Sequence, residues 1–269
     1  MTDTERQKRM KDTQHLWVSM VEQARELAKA EPLLASYYYS SIIDRQNFSE
    51  ALACQLAAKL DAATVSAMML GEVFTQCLLQ DPKIAEAALC DILACYDRDP
   101  ACNNYCVPFL HFKGYLAIQA YRFSHHLWMN GRRSMARYIQ HMTSMLFDVD
   151  VHPAAKLGAG LMFDHATGIV IGETAVVGDN VSMLHGVTLG GSGISAGARH
   201  PTIGSGVMIS CGAKILGDIS IGDGVRVGGG SLVLESVPAH VTVVGVPAKI
   251  IGDMSDAAPS LSMQQDITR

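Results

Sequence analysis

The chain lacks any concentration of charge of one sign. Its 21 Lys and Arg face 26 Asp and Glu, for a net charge of −5, and no block of five like charges occurs. That excludes an electrostatic binder of nucleic acid or of an anionic membrane surface. No run of 18 apolar residues exists, so no membrane span is expected. The opening Met1-Thr-Asp-Thr-Glu-Arg-Gln-Lys-Arg9 has no apolar signal region behind it, and a cytoplasmic protein is expected. Seven cysteines occur (Cys54, Cys77, Cys90, Cys95, Cys102, Cys106 and Cys211) but no CxxC. Cys102-Asn-Asn-Tyr-Cys106 has no Cys/His pair near it to complete a zinc site. An odd set of thiols, six of them in the first half, reads as reduced side chains.

What is present is a beat of six. Ile203, Ile209, Ile215, Ile221, Val227 and Val233 follow one another at six-residue intervals. The beat also runs through Val151, Leu157, Phe163 and Ile169, slips by two, and resumes at Ile171, Val177, Met183 and Leu189. A fixed six-residue period marks a parallel β-helix. Three such sides make a triangular coil of 18 residues. The lead aliphatic residues point inward, and coils stack about 4.8 Å apart. A β-sandwich would show period two.

Residues 1–148 lack the beat and read as helices: Thr13–Glu31, Leu33–Ile43, Ser49–Leu60 with Ser49 as N-cap, a helix capped by Asp61 through Leu79, one opened by Pro82 through Tyr96, His111–Met129, and Arg132–Phe147. The expected fold is α+β: a helical N-terminal domain over 1–148, a left-handed parallel β-helix of hexapeptide repeats over 149–252, and a flexible polar tail over 253–269. The helical part should pack on the first coil. Between Leu189 and Ile203 the spacing is 14 rather than 12, and Gly190 to Pro201 is rich in Gly and Ser. That segment should leave the coil as a loop, a common place for function.

Charged and imidazole side chains at non-lead positions face outward: Asp150, His152, Asp164, His165 and His185. Asp150 and His165 stand 15 residues apart, nearly one coil. A carboxylate beside an imidazole is the arrangement that orients a general base. His125, His126, His111, His141 and His15 lie on helices and read as surface or packing residues. Cys211 has no evident base and is not read as a nucleophile.

Five stretches together resemble serine O-acetyltransferases of the hexapeptide-repeat acyltransferase superfamily. They are Phe147-Asp-Val-Asp-Val-His-Pro-Ala-Ala155, Met162-Phe-Asp-His-Ala-Thr-Gly-Ile169, Gly186-Val-Thr-Leu-Gly-Gly191, Arg199-His-Pro201 and Gly245-Val-Pro-Ala248. Asp97-Arg-Asp-Pro100 and Gly114 to Trp128 resemble the helical domain of the same family. The resemblance covers about residues 10–252. It implies acetyl transfer from acetyl-CoA to the hydroxyl of L-serine, with no metal. His165 would be the general base and Asp150 its orienting carboxylate. Asp99 and Asp164 would take the substrate ammonium, Arg199 its carboxylate, and His200 would lie beside it. Gly191, Cys211, Gly229 and Lys249 would contact CoA. L-cysteine would inhibit at the serine site. The resemblance also implies a hexamer built as a dimer of trimers, with a trimer as the simpler alternative.

The residues leave three alternatives open. One is another acceptor such as a sugar, which would not need paired charges. A second is a metal enzyme resembling γ-class carbonic anhydrase, using His152, His165 and His185. The third is a structural solenoid. Ser192-Gly193-Ile194 and Ala198 depart from the family's loop, which carries Lys and an acid there. The chain ends Asp266-Ile-Thr-Arg269, whereas the family's tail ends in isoleucine for its complex with O-acetylserine sulfhydrylase. That departure argues against the complex here.

Overall fold

A computed structural model describes residues 3–193, 197–253 and 258–264. The chain divides into two compact units, Met1–Phe112 and Lys113–Arg269. The first is helical: α1 Asp3–Ala30, α2 Ala35–Tyr38, α3 Phe48–Lys59, α4 Ala67–Gln80, α5 Lys83–Arg98 and α6 Cys106–His111. Met20, Ala24, Leu52, Leu56, Leu70, Phe74, Ala88 and Ile92 are fully buried in its core, at the spacing of single helix faces. Ser49 does not cap α3. Asn47 does, in extended backbone, accepting from Glu50 N at 3.0 Å. Ser66 rather than Asp61 caps α4, while Asp61 Oδ1 accepts from Ala67 N at 2.6 Å from outside the helix. An N-cap needs non-helical φ/ψ as well as a side-chain acceptor, and sequence specifies only the second.

The second unit opens with α7 Lys113–Met129 and α8 Arg133–Phe147. The helix expected over His111–Met129 is broken at Phe112, which is extended. The solenoid follows in coils of three sides. Coil one is β1 Val149–Val151, β2 Lys156–Leu157 and β3 Met162–Asp164. Coil two is β4 Ile169–Ile171, β5 Val176–Val177 and β6 Ser182–Leu184. Coil three is β7 Thr188–Gly190, β8 Thr202–Ile203 and β9 Met208–Ile209. Coil four is β10 Lys214–Leu216, β11 Ser220–Ile221 and β12 Arg226–Val227. β13 Leu232–Val233, a bridge at Val237 and β14 Val241–Gly245 make the fifth, and β15 Ala248–Asp253 folds back on β14 antiparallel. Like sides stack into three sheets: A (β1-β4-β7-β10-β13), B (β2-β5-β8-β11) and C (β3-β6-β9-β12-β14-β15).

The inward leads from Ile171 to Val233 are at most 3% exposed. Each such burial stabilises by roughly 1.5–3 kcal/mol. The register locates the irregularities. Ile171 pairs with Leu189, and Met208 with Arg226, at the regular step of 18. Val151 pairs with Ile171, a step of 20, so the slip of two lies between Phe163 and Ile171. Val177 pairs with Ile203, a step of 26. The loop after β7 therefore adds eight residues to one corner. It replaces no side, so the expected two-residue excess is corrected to eight.

Helix gives way to strand between Phe147 and Val149, but the solenoid's compact unit begins at Lys113. The reason is packing: α7 lies against coil one. Tyr121 OH donates to Ala155 O, Arg122 Nη2 donates to Gly158 O at 2.9 Å, and His125 Nδ1 meets Pro153 O at 2.7 Å. The tail is not free throughout. α9 Pro259–Ser262 docks on sheet C, with Ser260 fully buried. Ser182 Oγ donates to Ser260 O at 3.0 Å, and Arg226 Nη1 to Gln264 O at 3.1 Å. Ile194–Ala196 and Gln265–Arg269 lie outside the described residues. No described helix is long and apolar enough to cross a membrane.

Candidate active site

Two corners of the solenoid carry the candidate residues. The first joins sheet C to sheet A of the next coil. In coil one this corner is Asp164 to Gly168, and the two extra residues sit in it. His165 and Ala166 both adopt left-handed backbone, with φ of 55° and 61°. For non-glycine residues this costs about 1–2 kcal/mol each. Ala166 N donates to Asp164 O at 2.5 Å and Thr167 N to His165 O at 2.8 Å, closing two tight turns. The result lifts His165 off the solenoid wall: its side chain is 76% exposed, while that of Asp164 is 24% exposed.

The same corner repeats down the solenoid as a track. Gly186 N donates to Thr167 O, Gly212 N to His185 O and Gly230 N to Cys211 O, each at 2.8 Å. Gly168, Gly186, Gly212 and Gly230 all have φ between 66° and 73°, which glycine adopts without a Cβ clash. His165 thus heads an edge whose next rungs present His185, Cys211 and Gly229. The His165 and His185 rings meet edge to face at 6.2 Å. A Cβ on Gly229 would stand 3.5 Å from Cys211 Sγ and O, so the track is continuous there.

The second corner joins sheet A to sheet B. It carries His152 in coil one, Gly172, Glu173 and Thr174 in coil two, and Gly191 with the long loop in coil three. Arg199 and His200 close that loop, and Thr174 ties them down. Its Oγ1 accepts from Arg199 N at 3.1 Å and His200 N at 3.2 Å, and meets His200 Nδ1 at 2.9 Å. Thr174 N donates to the same Nδ1 at 3.3 Å, which assigns the ring hydrogen to Nε2. His200 is 8% exposed and lies over Gly172, where any Cβ would enter the ring. Burial holds the His200 pKa below that of a free imidazole, with the Arg199 charge adding to it. Arg199 Nη2 donates to Glu173 Oε2 at 2.6 Å, and that bond holds the Glu173 carboxyl below the usual range.

The remaining candidates fall as follows. Asp150, on β1, accepts from Gln140 Nε2 of α8 at 2.7 Å, and the carboxylate paired with His165 is Asp164, at 3.8 Å. Gly191 stands beside Arg199 and His200, while Cys211 and Gly229 lie on the His165 edge. Lys249 is exposed on β15, lining a cleft with Val233, Leu234 and Pro247. Asp99 belongs to the helical unit, where it ends α5 and its Oδ1 accepts from Ala101 N at 2.8 Å. His152 stacks edge to face on Trp128 at 5.2 Å, and burial lowers its pKa. His152 and His165 therefore stand at different corners. Among the described residues of one chain no three His, Cys, Asp or Glu side chains converge as a metal site. Gln140, Glu173 and Thr174 were not picked out from sequence, because a polar residue at an outward solenoid position looks like solvated surface.

Comparison with known proteins decides the family. A family profile described as "Serine acetyltransferase, N-terminal" matches residues 16–120, and a six-repeat bacterial transferase hexapeptide profile matches 200–235. The serine acetyltransferase of Salmonella typhimurium is 48% identical over 93% of this chain and 92% of its own. The chain belongs to the serine acetyltransferase family. Within that family, the Vibrio cholerae enzyme structure is 50% identical, with a TM-score of 0.94 over 95% of this chain and 99% of its own. A serine acetyltransferase solved with cysteine is 46% identical, with a TM-score of 0.93 over 94% and 99%. A Neisseria gonorrhoeae member solved with serine is 48% identical (TM-score 0.85, 87% and 96% covered). A Brucella abortus member solved with coenzyme A is 47% identical (TM-score 0.88, 89% and 96% covered).

Proposed function

We propose that the chain transfers acetyl from acetyl-CoA to the hydroxyl of L-serine, with His165 as general base. The observation that carries the reading is the His165 turn: a strained backbone presenting an exposed imidazole at the head of an edge of stacked turns. His165 removes the serine hydroxyl proton as that oxygen attacks the thioester carbonyl. The tetrahedral intermediate collapses with loss of the CoA thiolate, and the imidazolium returns the proton to sulfur. Asp150, one of whose oxygens accepts from Gln140 Nε2, is the proposed orienting carboxylate, acting beside Asp164, whose Oδ1 lies 3.8 Å from His165 Nε2. Asp164 and Asp99 take the substrate ammonium. Arg199 takes the carboxylate in place of Glu173, and His200 lies beside it. The CoA arm runs along Cys211 and Gly229, with Gly191 and Lys249 as further contacts.

Arg199 and His165 occupy different corners of one chain, so a complete site uses His165 of one subunit and Arg199 of the next. That arrangement suits trimeric solenoids; pairing of trimers into a hexamer and action in the cytoplasm are proposed from the family resemblance. L-cysteine, which matches serine in both charged groups, inhibits by taking the same clamp. The ligands of the solved relatives fit this reading. The test is CoA release from acetyl-CoA with L-serine against sugar and amine acceptors, with L-cysteine titrated in. Release should require L-serine, and L-cysteine should raise its KM. Equal turnover of a sugar, or inhibition indifferent to serine, removes the assignment.

A further inference from the structure

We propose that the first turn of α7, Lys113 and Gly114, is a positioning element for the His165 turn. The inference rests on His165 being the general base. The exposed imidazole owes its place to its backbone, and consecutive left-handed non-glycine residues persist only where the surroundings over-determine them. The backbone supplies part of that: Gly168 N donates to Asp148 O at 2.8 Å, and Thr167 O accepts from Gly186 N. α7 supplies the rest, gripping the turn at both ends. On the near side, Gly114 is buried against Phe163 O and the Ala166 methyl, and a Cβ on it would fall inside the carbonyl oxygen's van der Waals surface. On the far side, Lys113 Nζ donates to Thr167 Oγ1.

Gly114 has no left-handed φ that would require glycine. A glycine within a helix costs stability relative to alanine. What needs glycine here is the close approach of the helix to the turn. The helix itself cannot slide, because Tyr121 and Arg122 fasten it to Ala155 and Gly158 further along coil one. The turn is therefore held between a fixed helix and the second coil.

The test uses the full-length oligomer and measures kcat, both KM values and CoA affinity for Gly114→Ala and Lys113→Met. Gly114→Ala should lower kcat about 100-fold, the scale of a misplacement near 1 Å. Lys113→Met should lower it roughly tenfold. Both should leave CoA affinity and the acetyl-CoA KM within about twofold, while the serine KM rises less than kcat falls, because Asp164 heads the same turn. Lys113→Arg should recover most of the rate. Adding Thr167→Val to Lys113→Met should cost little more, because the same bond is already gone. Unchanged kcat, raised KM with intact kcat, or fully multiplicative losses would overturn the proposal. Lys113 lies at the surface, so its variants test the idea even where Gly114→Ala fails to fold. His165→Ala, assayed alongside, separates the two layers. If it is active, the base assignment fails; if it is dead while Lys113 and Gly114 variants are normal, this inference alone fails.

Discussion

The two corners of the solenoid handle ionisable side chains in opposite ways. At the His165 corner the backbone is strained and fixed, and the imidazole stands largely in solvent. At the Arg199 corner the backbone is ordinary, and the side chains are tied down by Glu173, Thr174 and the face of Gly172. The chemistry of each role explains the difference. As the proposed base, His165 must reach a bound hydroxyl, so its ring stands clear of the wall while the backbone fixes where it stands. A group that recognises a fixed negative charge gains from a fixed direction. One coil cannot bring two of its own corners together, which is the ground for proposing a site shared between neighbouring chains.

The largest effect tests that sharing. His165→Ala should lose about 10²- to 10⁴-fold in kcat, the usual contribution of general-base catalysis. Arg199→Met should raise the serine KM by about 100-fold, leaving activity low at ordinary serine concentrations. Neither homo-oligomer should work well. Unfolded together in equal amounts and refolded, the two variants should recover about a quarter of the wild-type rate. Half of the sites draw a good His165, and half of those a good Arg199. Recovery indistinguishable from the two inactive parents would place both residues in one chain's site and end the comparison.

The sequence carried the architecture well because a six-residue beat has few structural causes. The two-residue slip marks the His165 turn, and the Gly-rich stretch marks the loop that ends in Arg199. The size of the loop was misread. A beat of identical sides does not label which side resumes, so an excess of eight is indistinguishable from a lost side plus two. Helical spacing groups α7 and α8 with the helices before them but says nothing about which core a face meets; both fall in the compact unit that begins at Lys113. Pro259 and Ser260 read as polar tail, since their burial depends on acceptors in Asn180 and Gly206, far away in sequence. Asp150 and His165 were paired by arithmetic on an 18-residue coil. The first coil takes 20 residues rather than 18, which the spacing alone does not show.

A pair of glycine replacements sharpens the contrast at intermediate size. Gly172→Ala adds a methyl inside the His200 ring position, without any left-handed backbone at the site. Overpacking of that kind costs about 1–3 kcal/mol and should displace His200, raising the serine KM roughly tenfold. Gly186→Ala has room above it, with its nearest neighbour at 3.4 Å, but sits at φ 70°. Its cost is about 1 kcal/mol of backbone strain, and the serine KM should stay within about twofold. Denaturant unfolding together with steady-state kinetics measures both. If Gly172→Ala leaves the serine KM unchanged, the Arg199 corner is not where serine is held.

The smallest effect is a pH dependence confined to one corner. Burial lowers the His200 pKa below the free value of 6.5, so the ring is neutral in the fold at pH 7. The unfolded chain takes up that proton first. The stability it contributes is therefore complete above about pH 6.5 and is lost as pH falls from there through the lower folded value. His200→Asn keeps an acceptor near the Nδ1 position toward Thr174 but cannot titrate in this range. The wild-type Tm should thus fall more than the variant's between pH 7.5 and 5.5, by about 1–2 °C. If the His200→Asn variant falls as far as the wild type, the His200 imidazole is not held neutral by its burial at the Arg199 corner.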